Sequence, residues 1–558
     1  MNETQTSDRD TQFRFVAGTV HQAFRQSAVQ YPQSEFLSIL PETAAKYQIE
    51  PRAYSYANAA VEVAKLQALY RAADLGHGHR VGLMLENRPA MFFHWLALNA
   101  LGVSVVPINP EWRSAELEYL MGHSELCIAV VPSVRQSDAA LAARSTGREV
   151  AVTPPDLTGL PRVPRPAPHS ARVPDKNTEC ALLYTSGTTS RPKGCVLPNE
   201  YFLWAGTWYA EAGGLCQLTP GAERLITPLP MSHMNAMAFS TMAMLLTGGC
   251  IVPLDRFHPR SWWDSVRAAR ATIVHCLGVM PAMLLEAAPG TRDTDHQVRF
   301  AFGAGVSPRL HAEFERRFAF PLLEAWAMTE TGAGAAIIAN HEPRKVGSAC
   351  FGRAPSGIEY RLVDEDNEDV APGEPGELLV RRAGREPHFG FFREYLKDPE
   401  ATATAWQGGY FHTGDIVQVD AEGDFHFIDR RRNLIRRSGE NISAAEVESV
   451  MLQHPGVAAV GVSAVPDEVR GDEVMACIVP RTPVGVPQRD AFARDVLDFC
   501  LQRLAYFKVP GYVVFCEALP LTPTEKIQRA RLNELAQGML KGPDCIDLRA
   551  LKKRPTVA

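Results

Sequence analysis

The chain has 558 residues, of which 46% are hydrophobic and 22% charged, and its formal net charge at pH 7 is −6. A single hydrophobic core stops growing at about 250–300 residues, so this length predicts at least two domains. The composition is that of a soluble globular protein. The small negative charge excludes a strongly basic surface of the kind that binds nucleic acid or an anionic membrane.

The eleven cysteines are scattered along the chain. No two form a C-x-x-C pair, and none clusters with histidine at zinc-ligand spacing. We therefore expect reduced thiols and a cytoplasmic protein. The polar first twelve residues lack the apolar core of a signal peptide. No apolar run reaches the roughly 18 residues of a membrane span, so no integral membrane segment is expected.

The first two-thirds of the chain alternates helical patterns with short apolar runs, which indicates layered α/β structure. A proline-rich stretch at 153–175 predicts a loop, and a second α/β stretch follows it. The apolar helix Met91–Leu101 is too short to span a bilayer and is expected in the core. The other predicted elements are a helix at Val61–Leu75 and strands at Arg80–Leu85, Val103–Pro107, Ala181–Tyr184, Ile273–Leu277 and Val298–Phe302.

After Gly347 the pattern changes to short strands with turns, which predicts a β-rich subdomain. The charged run Asp429–Arg437 then interrupts the pattern, and we place the domain boundary at Asp429–Asn433 within it. Residues 1–429 would form a large N-terminal domain and residues 430–558 a small α+β domain. The predicted strands are Glu359–Val363, Gly376–Val380, Asp424–Ile428, Ala458–Ala464, Val474–Val479 and Tyr512–Phe515, and the predicted helices are Ala444–Gln453 and Arg489–Ala505.

A hydroxyl-rich loop follows one of the buried strands, where residues 184–194 read YTSGTTSRPKG. A glycine without a Cβ lets the backbone N–H groups of such a loop turn toward an anion, and Lys193 can add a positive charge. The spacing is not that of a kinase or GTPase phosphate loop, and a plain polar surface loop is the alternative. The candidate phosphate-binding residues are Thr185, Ser186, Gly187, Thr188 and Thr189.

Two further strand ends carry residues that suit a purine nucleotide. Residues 301–307 read AFGAGVS and residues 324–330 read EAWAMTE, which pairs a flat small-residue backbone with an aromatic ring. The turn GYFHTGD at 409–415 ends in Asp415, a carboxylate suited to two ribose hydroxyls. The segments PMSHMN at 230–235 and LPLTPTEKIQR at 519–529 carry His233 and Lys526. Taken alone, these two could be a structural histidine and a solvated lysine.

In this order, the segments resemble the motifs of the adenylate-forming superfamily, which includes acyl-CoA synthetases, adenylation domains of peptide synthetases and beetle luciferases. The resemblance runs from about Val81 to Arg529. The chain differs from the usual motifs at Ser190, at Trp326-Ala327 and at Glu525. The Asn235 position and the segment PEATA at 399–403 are similar to the crotonobetaine/carnitine-CoA ligase branch.

The resemblance implies a role for each matching residue. Lys193 and the hydroxyl loop would bind the phosphates of ATP, while Glu330, with Thr185, would bind Mg²⁺. Lys526 would enter the site during adenylation, and His233 would stand at the acyl entry. The implied adenine and ribose contacts are Gly303, Ala304, Gly305, Trp326, Ala327, Met328, Thr329, Asp415 and Arg430.

The resemblance also implies that the small domain is mobile, with Arg432 at the hinge and Ser438, Gly439 and Glu440 in the loop that the CoA thiol passes. The implied activity is that of an ATP-dependent acyl-CoA ligase acting on a carboxylic acid, ATP and CoA. The chain ends soon after Lys526 without a carrier domain, which favours this activity. A free-standing enzyme that loads a carrier protein, a luciferase-type oxidase and a non-catalytic nucleotide-binding protein stay open.

The acid itself is not predicted by these motifs, and neither is the oligomeric state. Three stretches rich in tryptophan, methionine and small residues are expected to line the acyl site. They are 202–208, Met234–Met242 and Gly278–Leu284.

Overall fold

The computed structural model of the chain describes residues 17–160, 172–185, 191–276, 279–306, 308–364, 366–430, 434–438, 440–520, 527 and 529–552. Within these ranges the strands form four sheets, of eight, seven, six and five strands. No helix in the described ranges is long and apolar enough to cross a membrane. All eleven cysteines are free thiols.

The helices and strands are numbered here in chain order. The described helices are α1 (Val20–Gln30), α2 (Pro41–Tyr47), α3 (Tyr56–Ala72), α4 (Pro89–Asn99), α5 (Ser114–Ser124), α6 (Gln136–Ser145), α7 (Asn199–Glu211), α8 (Thr241–Thr247), α9 (Trp262–Ala269), α10 (Val279–Leu285), α11 (Pro308–Phe318), α12 (Pro399–Ala405), α13 (Ala444–Met451), α14 (Arg489–Leu501) and α15 (Arg529–Met539). The described strands are β1 (Glu35–Ile39), β2 (Arg52–Ser55), β3 (Arg80–Leu83), β4 (Ser104–Pro107), β5 (Ile128–Val130), β6 (Ala151–Thr153), β7 (Glu179–Thr185), β8 (Lys193–Pro198), β9 (Arg224–Thr227), β10 (Cys250–Pro253), β11 (Ile273–His275), β12 (Phe300–Gly303), β13 (Leu322–Trp326), β14 (Ile337–Ile338), β15 (Cys350–Gly352), β16 (Ile358–Val363), β17 (Gly376–Arg382), β18 (Glu394–Tyr395), β19 (Phe411–Val419), β20 (Phe425–Arg430), β21 (Leu434–Arg437), β22 (Glu440–Ser443), β23 (Val457–Asp467), β24 (Gly471–Pro480), β25 (Tyr512–Phe515) and β26 (Ile546–Asp547).

The seven-stranded sheet has the order β18-β8-β7-β4-β3-β5-β6. Strands β7, β4, β3, β5 and β6 run parallel, and β8 and β18 extend the sheet in antiparallel fashion. Parallel strands are covered on both faces, which is why β4 is buried along its whole length. Helix α4 packs on this sheet with ten of its eleven residues buried, so the prediction of a core helix is confirmed.

The eight-stranded sheet has the order β14-β13-β12-β11-β9-β10-β1-β2, with antiparallel strands only at its two edges. The carboxyl ends of β11, β12 and β13 therefore lie side by side. They bring together His275, Gly303 and Trp326, the last residues of these strands. Ligands of open α/β sheets bind outside such strand ends.

A five-stranded antiparallel sheet, β15-β20-β19-β17-β16, follows in the chain and completes the large domain. The small domain is built on the six-stranded sheet, in which β22, β21, β24, β25 and β26 are joined by β23, and on helices α13 to α15. Sheet membership changes between Arg430 and Leu434. The predicted boundary at 429/430 lies beside this interval and stays a prediction.

The observed architecture, a large layered α/β domain with a β-rich part and a small α+β domain, is the fold class that the sequence predicted. Element ends differ where local chemistry acts. Helix α3 begins at Tyr56 rather than Val61 because Ser55 Oγ accepts a hydrogen bond from the N–H of Asn58 (3.1 Å), which caps the helix. Strand β23 continues to Asp467 because its pairing with β24 runs on to Gly471.

Candidate active site

Glu330 lies where the two large sheets meet. Its side chain is buried, and its Oε1 accepts a hydrogen bond from the Tyr395 hydroxyl at 3.0 Å. Tyr395 is opposite Cys195 in the pairing of β18 with β8. Burial, and after it the charge of Glu330, raises the pKa of the Cys195 thiol. Glu330 therefore faces the β7–β8 hairpin, the hairpin that carries the hydroxyl-rich loop.

Thr185 and Lys193 are the two ends of that loop, and they are paired across β7 and β8. Thr185 Oγ1 lies 3.9 Å from Cys195 Sγ. The ammonium of Lys193 lies 4.8 Å from the centre of the Tyr395 ring and 3.6 Å from Asp398 Oδ2. The structure thus brings the predicted phosphate-binding lysine and threonine beside the predicted metal-binding glutamate.

The predicted adenine segments lie at the ends of β12 and β13. Gly303 is buried, Ala304 is half-buried and Gly305 is exposed with φ +67°, a conformation that favours glycine. Ala327, Met328 and Thr329 are half-buried beyond β13. The two segments therefore lie side by side at the carboxyl ends of β12 and β13, and their contact with adenine stays a prediction.

Trp326 is tied to the predicted ribose residue, a contact that the sequence did not predict. Its indole N–H donates to Asp415 Oδ2 at 2.8 Å, and its ring stacks on Phe351 with centroids 6.1 Å apart. Asp415 is 2% exposed and lies opposite Arg430 in the β19–β20 pairing. The segment that carries Glu330 is therefore also hydrogen-bonded to the predicted ribose aspartate.

A buried cluster of charged side chains lies next to the ends of β12 and β13. His311 Nε2 lies 3.2 Å from Glu315 Oε1, and its Nδ1 lies 3.2 Å from Glu324 Oε1. Burial alone would lower the pKa of His311, but the two glutamates outweigh it and raise the pKa to about 9. Glu324 pairs with Gly303 across β13 and β12, so this cluster lies next to the predicted adenine segments.

His233 contacts the small domain. Its Nε2 lies 3.6 Å from Glu440 Oε2, and Glu440 outweighs the effect of burial and raises the pKa of His233. A Cβ added at Gly305 would lie 3.2 Å from Arg436 Nη1. Ser438, in the turn of the same β21–β22 hairpin, is exposed with φ +50°. This hairpin therefore lies against the open edge of the large domain.

An aromatic cluster lies beside the adenine segments, formed by Trp208, Tyr209, Phe239, His275 and Phe302. The Trp208 ring lies 5.3 Å from Phe239 and 6.3 Å from Phe302, centroid to centroid. His275 is bonded to Tyr209 through Nε2 (2.8 Å), and burial lowers its pKa to about 3. The histidine is therefore neutral.

The predicted acyl-lining stretch Met234–Met242 contains a π-helical turn, Asn235–Ser240. Such turns are rare and often mark functional sites. Asn235 Oδ1 and Ser240 Oγ lie 2.9 and 2.7 Å from His275 Nδ1. The turn thus joins this stretch to the aromatic cluster, which fits a role in lining the acyl site.

Several predicted residues lie outside the described ranges: Ser186, Gly187, Thr188, Thr189, Arg432, Gly439 and Lys526. For Arg430 the backbone is described and the side chain is not. Tyr395 and Cys195 were missed by sequence reasoning, because only the pairing of β18 with β8 brings them to Glu330. No signal in the sequence pointed to that pairing.

The residues present fit a magnesium ion. Among the described residues no group of three or more His, Cys, Asp or Glu side chains could hold a metal by itself. Mg²⁺ usually takes one or two carboxylates and completes its shell with phosphate oxygens and water. A buried Glu330 near the Thr185 hydroxyl suits that arrangement.

The open strand ends, the hydroxyl-rich hairpin and the small domain facing them are the architecture of AMP-forming ligases. The profile described as AMP-binding enzyme matches residues 24–396, and that of its C-terminal domain matches residues 446–526. The chain therefore belongs to the AMP-binding enzyme family. A crotonobetaine/carnitine–CoA ligase of Shigella flexneri is 30% identical over 493 residues, which cover 86% of this chain and 93% of the relative.

Solved structures agree on the fold. A double mutant of o-succinylbenzoate CoA synthetase from Bacillus subtilis, bound with its product analogue OSB-NCoA, has a TM-score of 0.77 at 23% identity and covers 92% of this chain and 98% of its own. The same synthetase in complex with AMP has a TM-score of 0.62 at 23% identity, with coverages of 91% and 97%. This chain is accordingly an AMP-forming acid–CoA ligase that uses ATP, Mg²⁺ and CoA.

Proposed function

We propose that Lys193, Thr185 and Glu330 bind the phosphates of ATP and its Mg²⁺, and that Asp415 binds the ribose. The bond from Trp326 to Asp415 carries this proposal. It joins the ribose aspartate to the five-residue segment that ends in Glu330, so the ribose and phosphate contacts are held at a fixed separation. The adenine would then lie along residues 303–305.

The chemistry proceeds in two steps. A carboxylate oxygen of the acid bonds to the α-phosphorus of ATP, the bond to the β-phosphate oxygen breaks, and pyrophosphate leaves. The CoA sulfur then bonds to the acyl carbon, its proton is lost, and AMP leaves. In the first step the protein must align two anions and neutralise their charge, which is the work proposed for Lys193 and, from the small domain, Lys526. Magnesium held at Glu330 would neutralise phosphate charge.

We further propose that this structure has the small domain in the arrangement for the second step. The contact of His233 with Glu440 and the approach of Arg436 to Gly305 support it, because both bring the β21–β22 hairpin to the site. The higher TM-score with the product-analogue form of the Bacillus subtilis synthetase than with its AMP form also supports it. The two forms match this chain with the same identity and nearly the same coverage.

For the acid, we propose a short carboxylic acid that bears a quaternary ammonium group, as crotonobetaine and carnitine do. The relatives' activity toward these acids supports this. The aromatic cluster supports it too, because a quaternary ammonium is attracted to the faces of tryptophan, tyrosine and phenylalanine rings. The neutral state of His275 leaves no positive charge there to repel the ligand.

A matched pair of acids tests this substrate class. Crotonobetaine and 5,5-dimethylhex-2-enoate have the same shape, but a carbon atom replaces the nitrogen in the second. We expect pyrophosphate release to be about tenfold more efficient with crotonobetaine, the equivalent of about 1.4 kcal/mol. Equal or better release with the neutral acid would reject the substrate class. Pyrophosphate release that does not lead to a CoA thioester would reject the second step.

We also propose a cytoplasmic location. The eleven free thiols support it, because disulfides are rare in reducing compartments. Fractionation of cells that express the chain, with a membrane marker and a secreted marker as controls, tests the proposal.

A further inference from the structure

Lys508 of the small domain is buried between two carboxylates, one from each domain. Its Nζ lies 2.8 Å from Glu116 Oε1 in the large domain and 2.8 Å from Glu446 Oε1 in its own domain. The three side chains are 5%, 9% and 7% exposed. Buried ion pairs are rarely found between domains that separate freely, because separation would leave a buried charge without its partner, which is costly.

The large domain holds its side of this contact rigidly. Glu116 lies in the first turn of α5, and its Oε2 accepts the N–H of Arg113 at 2.9 Å, so only Oε1 faces Lys508. Trp112 covers the ammonium with its ring centre 5.3 Å from Nζ. Arg135 fixes Trp112 by donating to its carbonyl oxygen at 2.6 Å. A carboxylate and an aromatic face are thus preformed for one cation.

The small domain presents Lys508 as a charged group. Burial would lower the pKa of Lys508, but Glu116 and then Glu446 outweigh it and raise the pKa. Glu446, in the first turn of α13, belongs to the same domain and moves with Lys508. Glu116 does not. If the small domain turns away, Lys508 keeps Glu446 and loses Glu116 and Trp112.

We propose that Glu116 and Trp112 form a docking site for Lys508 that holds the small domain in the arrangement for thioester formation. The inference rests on the proposed function, because it assigns the contact to the second of the two steps. Glu116 and Lys508 are then positioning residues that act through the β21–β22 hairpin and touch no reacting atom.

The same helix connects this docking site to the phosphate-binding hairpin. Tyr119, three residues after Glu116 and therefore on the same face of α5, donates its hydroxyl hydrogen to the carbonyl oxygen of Pro192 at 2.9 Å. Pro192 precedes Lys193. The docked small domain and the outer end of the hydroxyl-rich loop therefore share one support.

The variant Glu116→Gln tests the proposal in the full chain, with Glu118→Gln on the exposed face of α5 as its matched control. Two rates are compared: ATP–pyrophosphate exchange with the best acid of a panel, and transfer from that acid's synthetic acyl-AMP to CoA. For Glu116→Gln we expect exchange within about twofold of the parent and transfer at least tenfold slower, since a buried cation loses a charged partner only in the docked arrangement. The control should change neither rate.

Equal loss of both rates, or no loss of transfer, would overturn the docking role. If Glu116→Gln fails to fold, Glu116→Asp is the second test. It keeps the negative charge but moves it away from Lys508 by the length of one methylene. We expect it to slow transfer to CoA and to leave pyrophosphate exchange unchanged. A parent protein that shows no exchange with any acid would instead reject the proposed function. The two failures are therefore distinct.

Discussion

Trp326 donates its indole N–H to Asp415 across 2.8 Å, at the point where the eight-stranded sheet meets the five-stranded one. The bond ties the end of β13 to β19. The bond therefore links the predicted ribose-binding carboxylate to the segment that ends in Glu330, the predicted metal-binding one.

The variant Trp326→Phe keeps most of the ring and removes this donor. A hydrogen bond to a charged group contributes about 1.5–3 kcal/mol, so we expect the KM for ATP in pyrophosphate exchange to rise by about tenfold or more. Trp406→Phe is the matched control, because Trp406 Nε1 has no hydrogen-bond partner within the described part of the chain. An unchanged KM in Trp326→Phe would mean that this hydrogen bond does not position a group that binds ATP.

Tyr395→Phe removes the hydroxyl that donates to Glu330. Loss of a hydrogen bond that orients a metal ligand commonly weakens metal binding by about 10–100-fold. We expect the Mg²⁺ concentration for half-maximal exchange to rise by about tenfold, with the maximal rate largely restored at high Mg²⁺. Tyr360→Phe, at an exposed tyrosine, is the control and should leave the half-maximal Mg²⁺ concentration unchanged. A parent-like Mg²⁺ dependence in Tyr395→Phe would count against Glu330 as the ligand.

The contact of His233 with Glu440 predicts a pH effect on transfer to CoA. Glu440 raises the pKa of His233 in the docked arrangement, so the contact is fully formed below the ordinary histidine pKa and is lost as the pH rises through the raised value. Transfer should therefore weaken at alkaline pH more than exchange does. Glu440→Gln should flatten that difference, and the exposed Glu468→Gln should keep it.

His311 predicts a pH-dependent stability. Its pKa is about 9 in the fold and about 6.5 in the unfolded chain, so its stabilisation is complete below about pH 6.5 and is lost as the pH rises through 9. The difference in unfolding free energy between the parent and His311→Gln should be larger at pH 6 than at pH 9.5. Chemical denaturation at the two pH values measures it. A difference independent of pH would mean that His311 is neutral.

The variant Lys526→Ala should impair the first step, adenylation, and spare the second, transfer to CoA. Removal of a preorganised charge commonly costs about 10²–10³ in rate, so exchange should fall by that factor. Transfer from supplied acyl-AMP to CoA should stay near the parent rate, since the proposed role of Lys526 is confined to adenylation. Stopped-flow measurement of both steps checks this, and an equal fall in both would reject separate arrangements of the small domain.

The fold was largely predictable because its strands and helices follow simple patterns. Parallel strands such as β4 read as continuous apolar runs, and β25 was predicted at its observed bounds, Tyr512–Phe515. Glu330, Lys193 and Thr185, which the motifs assign to one site, lie close together in the structure, and their roles stay predictions. Their distances are set by sheet pairings that no local pattern encodes.

The contacts that sequence reasoning missed all join distant segments. Tyr395 reaches Glu330 only because β18 adds to β8. Lys508 meets Glu116, 392 positions earlier, only because the small domain docks. A lone lysine or glutamate in a sequence usually means a solvated charge, so nothing in the sequence distinguished these two from their exposed neighbours.

The shared support on α5 has a consequence for protein engineering. Replacing the small domain with that of a relative is a direct way to alter the thiol acceptor. A grafted domain would meet the Glu116 and Trp112 surface of this chain, and its own lysine would need to fall within about 3 Å of that carboxylate. Because Tyr119 of the same helix donates to the carbonyl oxygen of Pro192, the residue before Lys193, grafts that include α5 should outperform grafts of the small domain alone.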